Sequence, residues 1–129
     1  MKRTNLLKYC IFATGLSGIV AEYILSTLAA YFLGDSVIQW TLIVSFMLFS
    51  MGVGSSLSKF IKNNLLEKFI TLEFVLSLMT SFSAVIVYSI SAFPEYRGIV
   101  IYSMSILIGL LIGLEIPIVT RLNEEFEEL

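Results

Sequence analysis

Three glutamates lie inside apolar stretches that are long enough to cross a lipid bilayer: Glu22, Glu73 and Glu115. Each belongs to a different stretch. A charged side chain at the centre of a membrane helix costs roughly 2.5–3.5 kcal/mol on insertion scales, so an acid there usually has a partner or a task. Buried carboxylates can be balanced by cations or by protonation. We therefore predict that the three acids face a shared interior and bind cations or protons.

The composition is that of an integral membrane protein. Hydrophobic residues make up 57% of the chain and the mean hydropathy is +0.92. Charged residues make up 14%, whereas a soluble domain averages about 25%. The basic residues do not form a patch that would suggest binding to nucleic acid. Histidine is absent and Cys10 is the only cysteine, so we expect no metal site, no cofactor and no histidine-dependent catalysis in this chain.

Four apolar spans are predicted, at about 9–33, 37–57, 69–92 and 98–119. Each is near or above the roughly 20 residues that an α-helix needs to cross hydrocarbon. The short connections favour one domain, an up-down bundle of four transmembrane helices whose consecutive members are antiparallel neighbours. Residues 120–129 are rich in glutamate and are interpreted as an acidic cytoplasmic tail, either a solvated helix end or the start of a linker.

The distribution of positive charge predicts that both termini and the middle connection face the cytoplasm. Arg97 is the only basic residue in the first and third connections. Connections rich in lysine and arginine usually stay on the cytoplasmic side. The other basic residues lie in the N-terminal segment, the middle connection and the tail: Lys2, Arg3, Lys8, Lys59, Lys62, Lys68 and Arg121.

Small residues predict where the helices pack. Gly109 and Gly113 form a GxxxG pair, which is typical of close contacts between membrane helices. Pro117 removes a backbone donor and frees a carbonyl near Glu115. The alternative for Glu115 is a side chain that extends to the cytoplasmic surface. The other positions that we assign to helix packing are Gly15, Gly18, Gly52, Gly54 and Pro117.

Span three carries a stripe of hydroxyl groups at helical spacing on the extracytoplasmic side of Glu73. Two interpretations remain open: the stripe lines a wet groove, or its serines bond back to their own helix. The members of the stripe that carry hydroxyl groups are Ser77, Thr80 or Ser81, Tyr88 and Ser91.

Five sequence features follow one another along nearly the whole chain. They are Ala21-Glu22-Tyr23, Leu33-Gly34-Asp35-Ser36, Met51-Gly52-Val53-Gly54-Ser55, an early Glu73 in span three, and Gly113-Leu114-Glu115-Ile116-Pro117-Ile118. Together they resemble the membrane-spanning branch of the bacterial spermidine synthases, the polyamine aminopropyltransferases. The resemblance implies an N-terminal membrane region, followed in that family by further helices. A Rossmann-like domain then transfers an aminopropyl group from decarboxylated S-adenosylmethionine to putrescine.

The sequence departs from the family in one respect, because it reaches Leu129 without a catalytic domain. The chain alone is therefore not expected to carry out the transfer. We expect any enzymatic role to require a further C-terminal portion or a partner subunit.

Three functions are compatible with these features. The first is a membrane module of a spermidine-synthase-like system, which anchors the enzyme in the bilayer and binds or conducts polyamines at the three glutamates. The second is a small proton-coupled exporter of cations or drugs that works as a homo-oligomer, similar to the small multidrug resistance transporters. The third is a structural assembly subunit whose acids pair with basic residues on partner helices.

Overall fold

A computed structural model describes residues 3–128 and shows an all-helical chain, as the sequence predicts. No strand occurs among these residues, and a 3-10 turn at Ser58–Phe60 follows the second helix directly. Lys2 and Leu129, which belong to the predicted charge cluster and tail, lie outside the described residues. The four helices are α1 (Arg3–Leu33), α2 (Ser36–Leu57), α3 (Leu65–Ile90) and α4 (Pro94–Glu128).

Local sequence signals explain where the helices begin and end. Gly34 has a φ of 80°, a left-handed conformation that glycine adopts at no steric cost, and it ends α1. The Asp35 side chain then accepts a hydrogen bond from the Ile38 N–H at 3.4 Å, which caps the start of α2. Pro94 is the first residue of α4, where its missing N–H costs nothing. Helix α4 continues to Glu128, beyond the predicted fourth span at 98–119, so the acidic segment is helical as far as it is described.

Helix α4 lies at the centre of the bundle and contacts each of the other three helices. Helix α1 also contacts α2 and α3. Within residues 3–128, however, α2 and α3 do not touch, which corrects the expectation that all consecutive helices are neighbours. The connection between them is long enough to carry the chain across α4, and α4 offers α2 the better surface because its glycines admit the backbone of α2.

Helices α2 and α4 approach each other closely at three glycines. A Cβ atom placed on Gly109 would lie 2.6 Å from the Met47 carbonyl oxygen, and one on Gly113 would lie 2.7 Å from the Met51 Cα. These neighbouring atoms are backbone, so they cannot rotate away. From the other side, a Cβ on Gly54 would meet the backbone of α4. The two helices therefore touch main chain to main chain, as small residues allow in membrane proteins.

The remaining glycines assigned to packing divide into two groups. A Cβ on Gly18 would lie 3.1 Å from the Ile112 side chain, so α1 approaches α4 closely there. Gly15 and Gly52 have no neighbouring atom within 4 Å of a Cβ position, and both are exposed. Close packing therefore does not occur at these two positions, because Gly52 lies on an outer face of α2 and Gly15 borders a cavity described below.

The outer surface of the bundle is apolar. Large side chains such as Phe12, Phe49 and Phe82 are more than half exposed. All four helices are long and apolar enough to cross a membrane. An apolar surface of this extent suits hydrocarbon as the surrounding solvent better than water.

One arginine fastens the connection after α2 to the last helix. Arg121 donates hydrogen bonds to the Ile61 carbonyl at 2.7 Å, to the Ser58 carbonyl at 2.7 Å and to the Pro117 carbonyl at 3.2 Å. Three acceptors in fixed directions suit the planar, forked guanidinium. The contact explains how a connection with little regular structure keeps a defined path.

We expect Arg121→Lys to lower the free energy of unfolding by about 1–3 kcal/mol, because an ammonium cannot reproduce the fork and leaves carbonyls unpaired. Thermal unfolding in detergent measures the loss, and trypsin cleavage after Lys59 and Lys62 should become faster. Lys8→Arg is the matched control, because Lys8 is exposed. An unchanged midpoint for Arg121→Lys would show that the connection does not depend on this side chain.

Candidate functional site

Two of the predicted acids meet at one hydroxyl group. The Thr14 Oγ1 of α1 lies within hydrogen-bonding distance of Glu73 Oε1 from α3 and of Glu115 Oε1 from α4, the latter at 3.1 Å. The same oxygen lies 3.0 Å from the Cys10 carbonyl oxygen of its own helix. Three helices thus bring two carboxyl groups and one hydroxyl into a single cluster.

Glu115 is the most buried acid of the site. Only 3% of its surface is exposed, so the alternative in which it extends to the cytoplasmic surface does not match its position. No donor among the described residues reaches its Oε2. A buried carboxylate oxygen without a donor is costly, and such groups usually indicate an absent partner or a function.

Basic residues do not neutralise the cluster from within the apolar stretches. The sequence contains no lysine, arginine or histidine between Lys8 and Lys59, between Lys68 and Arg97, or between Arg97 and Arg121. Arg121, six residues after Glu115, is engaged with backbone carbonyls. The charge of the carboxyl groups must therefore be balanced by protons, by bound cations or by groups outside the described residues.

A cavity of about 410 Å³ lies beside the cluster, between α1, α2 and α4. Its polar lining consists of Thr14, Glu22, Glu115 and Thr120. The rest of the wall is apolar apart from the glycine backbone, and Gly15 is part of it. Because Gly15 has no side chain and nothing stands within 4 Å of its Cβ position, that part of the cavity is open.

The third acid, Glu22, borders the cavity without joining the pair. It is half-buried and belongs to the same helix as Thr14, eight residues further on. Eight residues of α-helix rise about 12 Å along the axis. Glu73 does not line the cavity. The structure therefore brings Glu73 and Glu115 together and places Glu22 at a distance from them, connected to Glu115 by the cavity.

Thr14 was not among the residues selected from the sequence, although a signal for it existed. Thr14, Gly18 and Glu22 follow one another at spacings of four, which places them on one face of α1. Gly15, which the sequence analysis assigns to packing, is the next residue along the chain and lies just beside this series. A hydroxyl two turns from an acid is a weak signal, because threonine in membrane helices commonly bonds to its own backbone.

The hydroxyl stripe of α3 lies apart from the site. Ser77, Ser81 and Tyr88 are exposed on the outer surface. Ser83, a buried serine outside the stripe, donates to the Thr80 carbonyl at 2.8 Å within its own helix. None of these residues lines the cavity.

Comparison with known proteins relates the whole chain to one family. It is 46% identical over 130 residues to polyamine aminopropyltransferase 2 of Aquifex aeolicus, covering 100% of this chain and 26% of the relative. The polyamine aminopropyltransferase of Leptospira interrogans is 42% identical, over 87% of this chain and 23% of the relative. The polyamine aminopropyltransferase of Oceanobacillus iheyensis is 40% identical, over 84% of this chain and 22% of the relative. No family model and no solved structure matches.

The chain spans about a quarter of the length of these relatives and matches their N-terminal region. The match confirms the resemblance inferred from the five sequence features. The four helices contain no catalytic domain. The chain is thus an N-terminal module of the polyamine aminopropyltransferase family.

Proposed function

We propose that this chain is the membrane-embedded module of a polyamine aminopropyltransferase system and that it binds a cationic amine in the cavity between Glu22 and Glu115. One observation carries the proposal: Glu115 is buried, has an oxygen without a donor, and lines a cavity that a second acid also borders. An ammonium group would supply the missing donor and the missing positive charge together.

The apolar surface and the charge distribution support insertion into the bacterial inner membrane. Each helix is long and apolar enough to span it. Seven of the eight basic residues fall in the N-terminal segment, the middle connection and the tail. By the positive-inside rule these segments lie in the cytoplasm, where the catalytic part of the relatives would be anchored.

The shape of the cavity supports an elongated amine. Glu22 and Thr14, which contacts Glu115, are separated by about 12 Å along α1. The cavity wall between them is mainly apolar. A polyamine has ammonium groups separated by methylene chains, so its charges would lie at the two acids and its methylenes along the apolar wall. The relatives are named for polyamines, which agrees with this choice of ligand.

Spermidine binding to the purified chain in detergent, measured by isothermal titration calorimetry, tests the proposal. We expect saturable binding that weakens in Glu22→Gln, since this variant removes one of the two charges and keeps the size of the side chain. Acetylated spermidine, in which one terminal charge is removed, should also bind more weakly. If spermidine does not bind to the unaltered chain, the proposed function is wrong.

A steric variant provides an independent prediction. Gly15→Leu should lower spermidine affinity about tenfold or more, because the side chain would occupy the cavity. The fold should remain, since nothing lies within 4 Å of the Cβ position. Gly52→Leu is the matched control, because it adds the same side chain at an open position of α2 outside this cavity. Equal affinities in the two variants would place the ligand elsewhere.

A further inference from the structure

The Thr14 cluster contains more acceptors than its hydrogen atoms can serve. The Thr14 oxygen has three oxygen neighbours: Glu73 Oε1, Glu115 Oε1 and the Cys10 carbonyl oxygen. The hydroxyl has one hydrogen and can donate it to only one of them, although it can accept in return. A carbonyl oxygen has no hydrogen to donate. At least one carboxyl group must therefore carry a proton, or a cation must be bound, for both carboxyl contacts to be favourable.

The surroundings leave few alternatives to this proton. On α1, the titratable residues nearest to Thr14 along the chain on either side are Cys10, whose carbonyl oxygen contacts the Thr14 hydroxyl, and Glu22, two turns away. Helix α3 contributes Glu73 and α4 contributes Glu115 itself. Between Ser36 and Leu57, α2 has no titratable side chain. Arg121 is the nearest cation along α4, and its guanidinium is used by backbone carbonyls. Two carboxyl groups that share a site do not both ionise readily, because like charges repel.

We propose that the free module holds one proton on the Glu73–Glu115 pair and that an ammonium group entering the cavity displaces it, so the site exchanges one proton for one cation. The exchange step rests on the proposed amine binding, whereas the shared proton does not. In the exchange, the O–H bond of the carboxyl group breaks and the proton passes to water. The ammonium then donates a hydrogen bond to the Glu115 carboxylate, one oxygen of which has no donor in the structure.

The positions of the two acids suit such an exchange. Glu115 lines the cavity, where the amine would arrive. Glu73 is not part of the lining and is half-buried, so it is the member of the pair with access to the surroundings of α3. The amine and the proton would thus enter and leave on different sides of Thr14. The pair resembles a shared-proton dyad, with the hydroxyl of Thr14 as the link.

The first test needs no ligand. Infrared spectroscopy of the purified chain at neutral pH should show the carbonyl stretch of a protonated carboxylic acid. We expect this band to disappear in Glu115→Gln, because the amide then supplies the hydrogen that the carboxyl pair otherwise holds. It should remain in the control Glu67→Gln, since Glu67 is exposed and bonds to Asn64. If the unaltered chain shows no such band, the shared proton is excluded.

The second test measures the exchange with spermidine. Calorimetric titrations in buffers of different ionisation enthalpy give the number of protons released per molecule bound. We expect about one proton at neutral pH from the unaltered chain and from Glu67→Gln. We expect clearly less from Glu73→Gln, whose amide replaces the shared hydrogen.

The outcomes separate the two proposals. Binding without proton release would overturn the exchange and leave amine binding intact. Full release from Glu73→Gln would assign the proton to Glu115 alone and overturn sharing. Absence of spermidine binding, with the infrared band present, would reject the amine function and the exchange that rests on it while supporting the proton-holding pair.

Discussion

Among the glycines of α4, Gly113 is the one whose replacement by alanine is expected to destabilise the bundle most. The new Cβ would overlap the backbone of Met51, 2.7 Å from its Cα, and backbone atoms cannot move aside alone. Helices α2 and α4 would have to separate along their closest contact. Overpacking of this kind costs typically 1–3 kcal/mol and occasionally more, and we expect about 3 kcal/mol or more here.

Thermal unfolding in detergent, followed by circular dichroism, measures this effect. We expect the midpoint of Gly113→Ala to fall by about 10 °C or more. Gly52→Ala is the matched control, since its Cβ meets no atom within 4 Å and alanine favours the helix. A midpoint for Gly113→Ala equal to that of the control would show that α2 and α4 do not approach closely at this point.

The contact between α2 and α4 also shows how far a glycine pattern can be interpreted. The GxxxG spacing of Gly109 and Gly113 predicts a packing face, and the structure places both against α2. The pattern does not show which of Gly52 and Gly54 packs against a neighbouring helix, because residues two apart point to nearly opposite sides of a helix. Only Gly54 meets a neighbour. Which of the two faces inward depends on the rotation of α2, and packing against α4 sets that rotation.

Helix order in space was harder to predict than helix number. Hydropathy predicts four helices because each apolar run is long enough to be recognised alone. The separation of α2 from α3 has no such local signal. It follows from the fit of α2 against the glycines of α4, which connects residues far apart in the sequence.

The sequence predicted which acids form the site but not how they are arranged in space. Glu22, Glu73 and Glu115 are conspicuous because acids are costly in apolar segments. The meeting of Glu73 and Glu115 at Thr14 depends on the relative heights and rotations of α1, α3 and α4. Periodicity within one helix does not contain that information. A threonine that links two acids looks, in the sequence, like any other threonine of a membrane helix.

The substitution Glu115→Gln is expected to have the largest effect on amine binding. The glutamine keeps the shape of the side chain and removes the charge that an ammonium would meet. A hydrogen bond to a charged group contributes about 1.5–3 kcal/mol, which corresponds to a loss of affinity of about tenfold to a hundredfold. Because Glu115 is 3% exposed, little water screens this interaction.

Spermidine titrations of matched glutamine variants would rank the acids by their contribution to the affinity. We expect the dissociation constant to rise most in Glu115→Gln and less in Glu22→Gln, since Glu22 is half-buried and water screens its charge more effectively. Glu67→Gln should bind like the unaltered chain, because Glu67 lies outside the cavity and carries the same change of charge. An equal loss in all three variants would indicate that net charge alone attracts the amine. If Glu115→Gln binds spermidine like the unaltered chain, the amine does not bind in this cavity, and membrane anchoring is the remaining proposed role of the module.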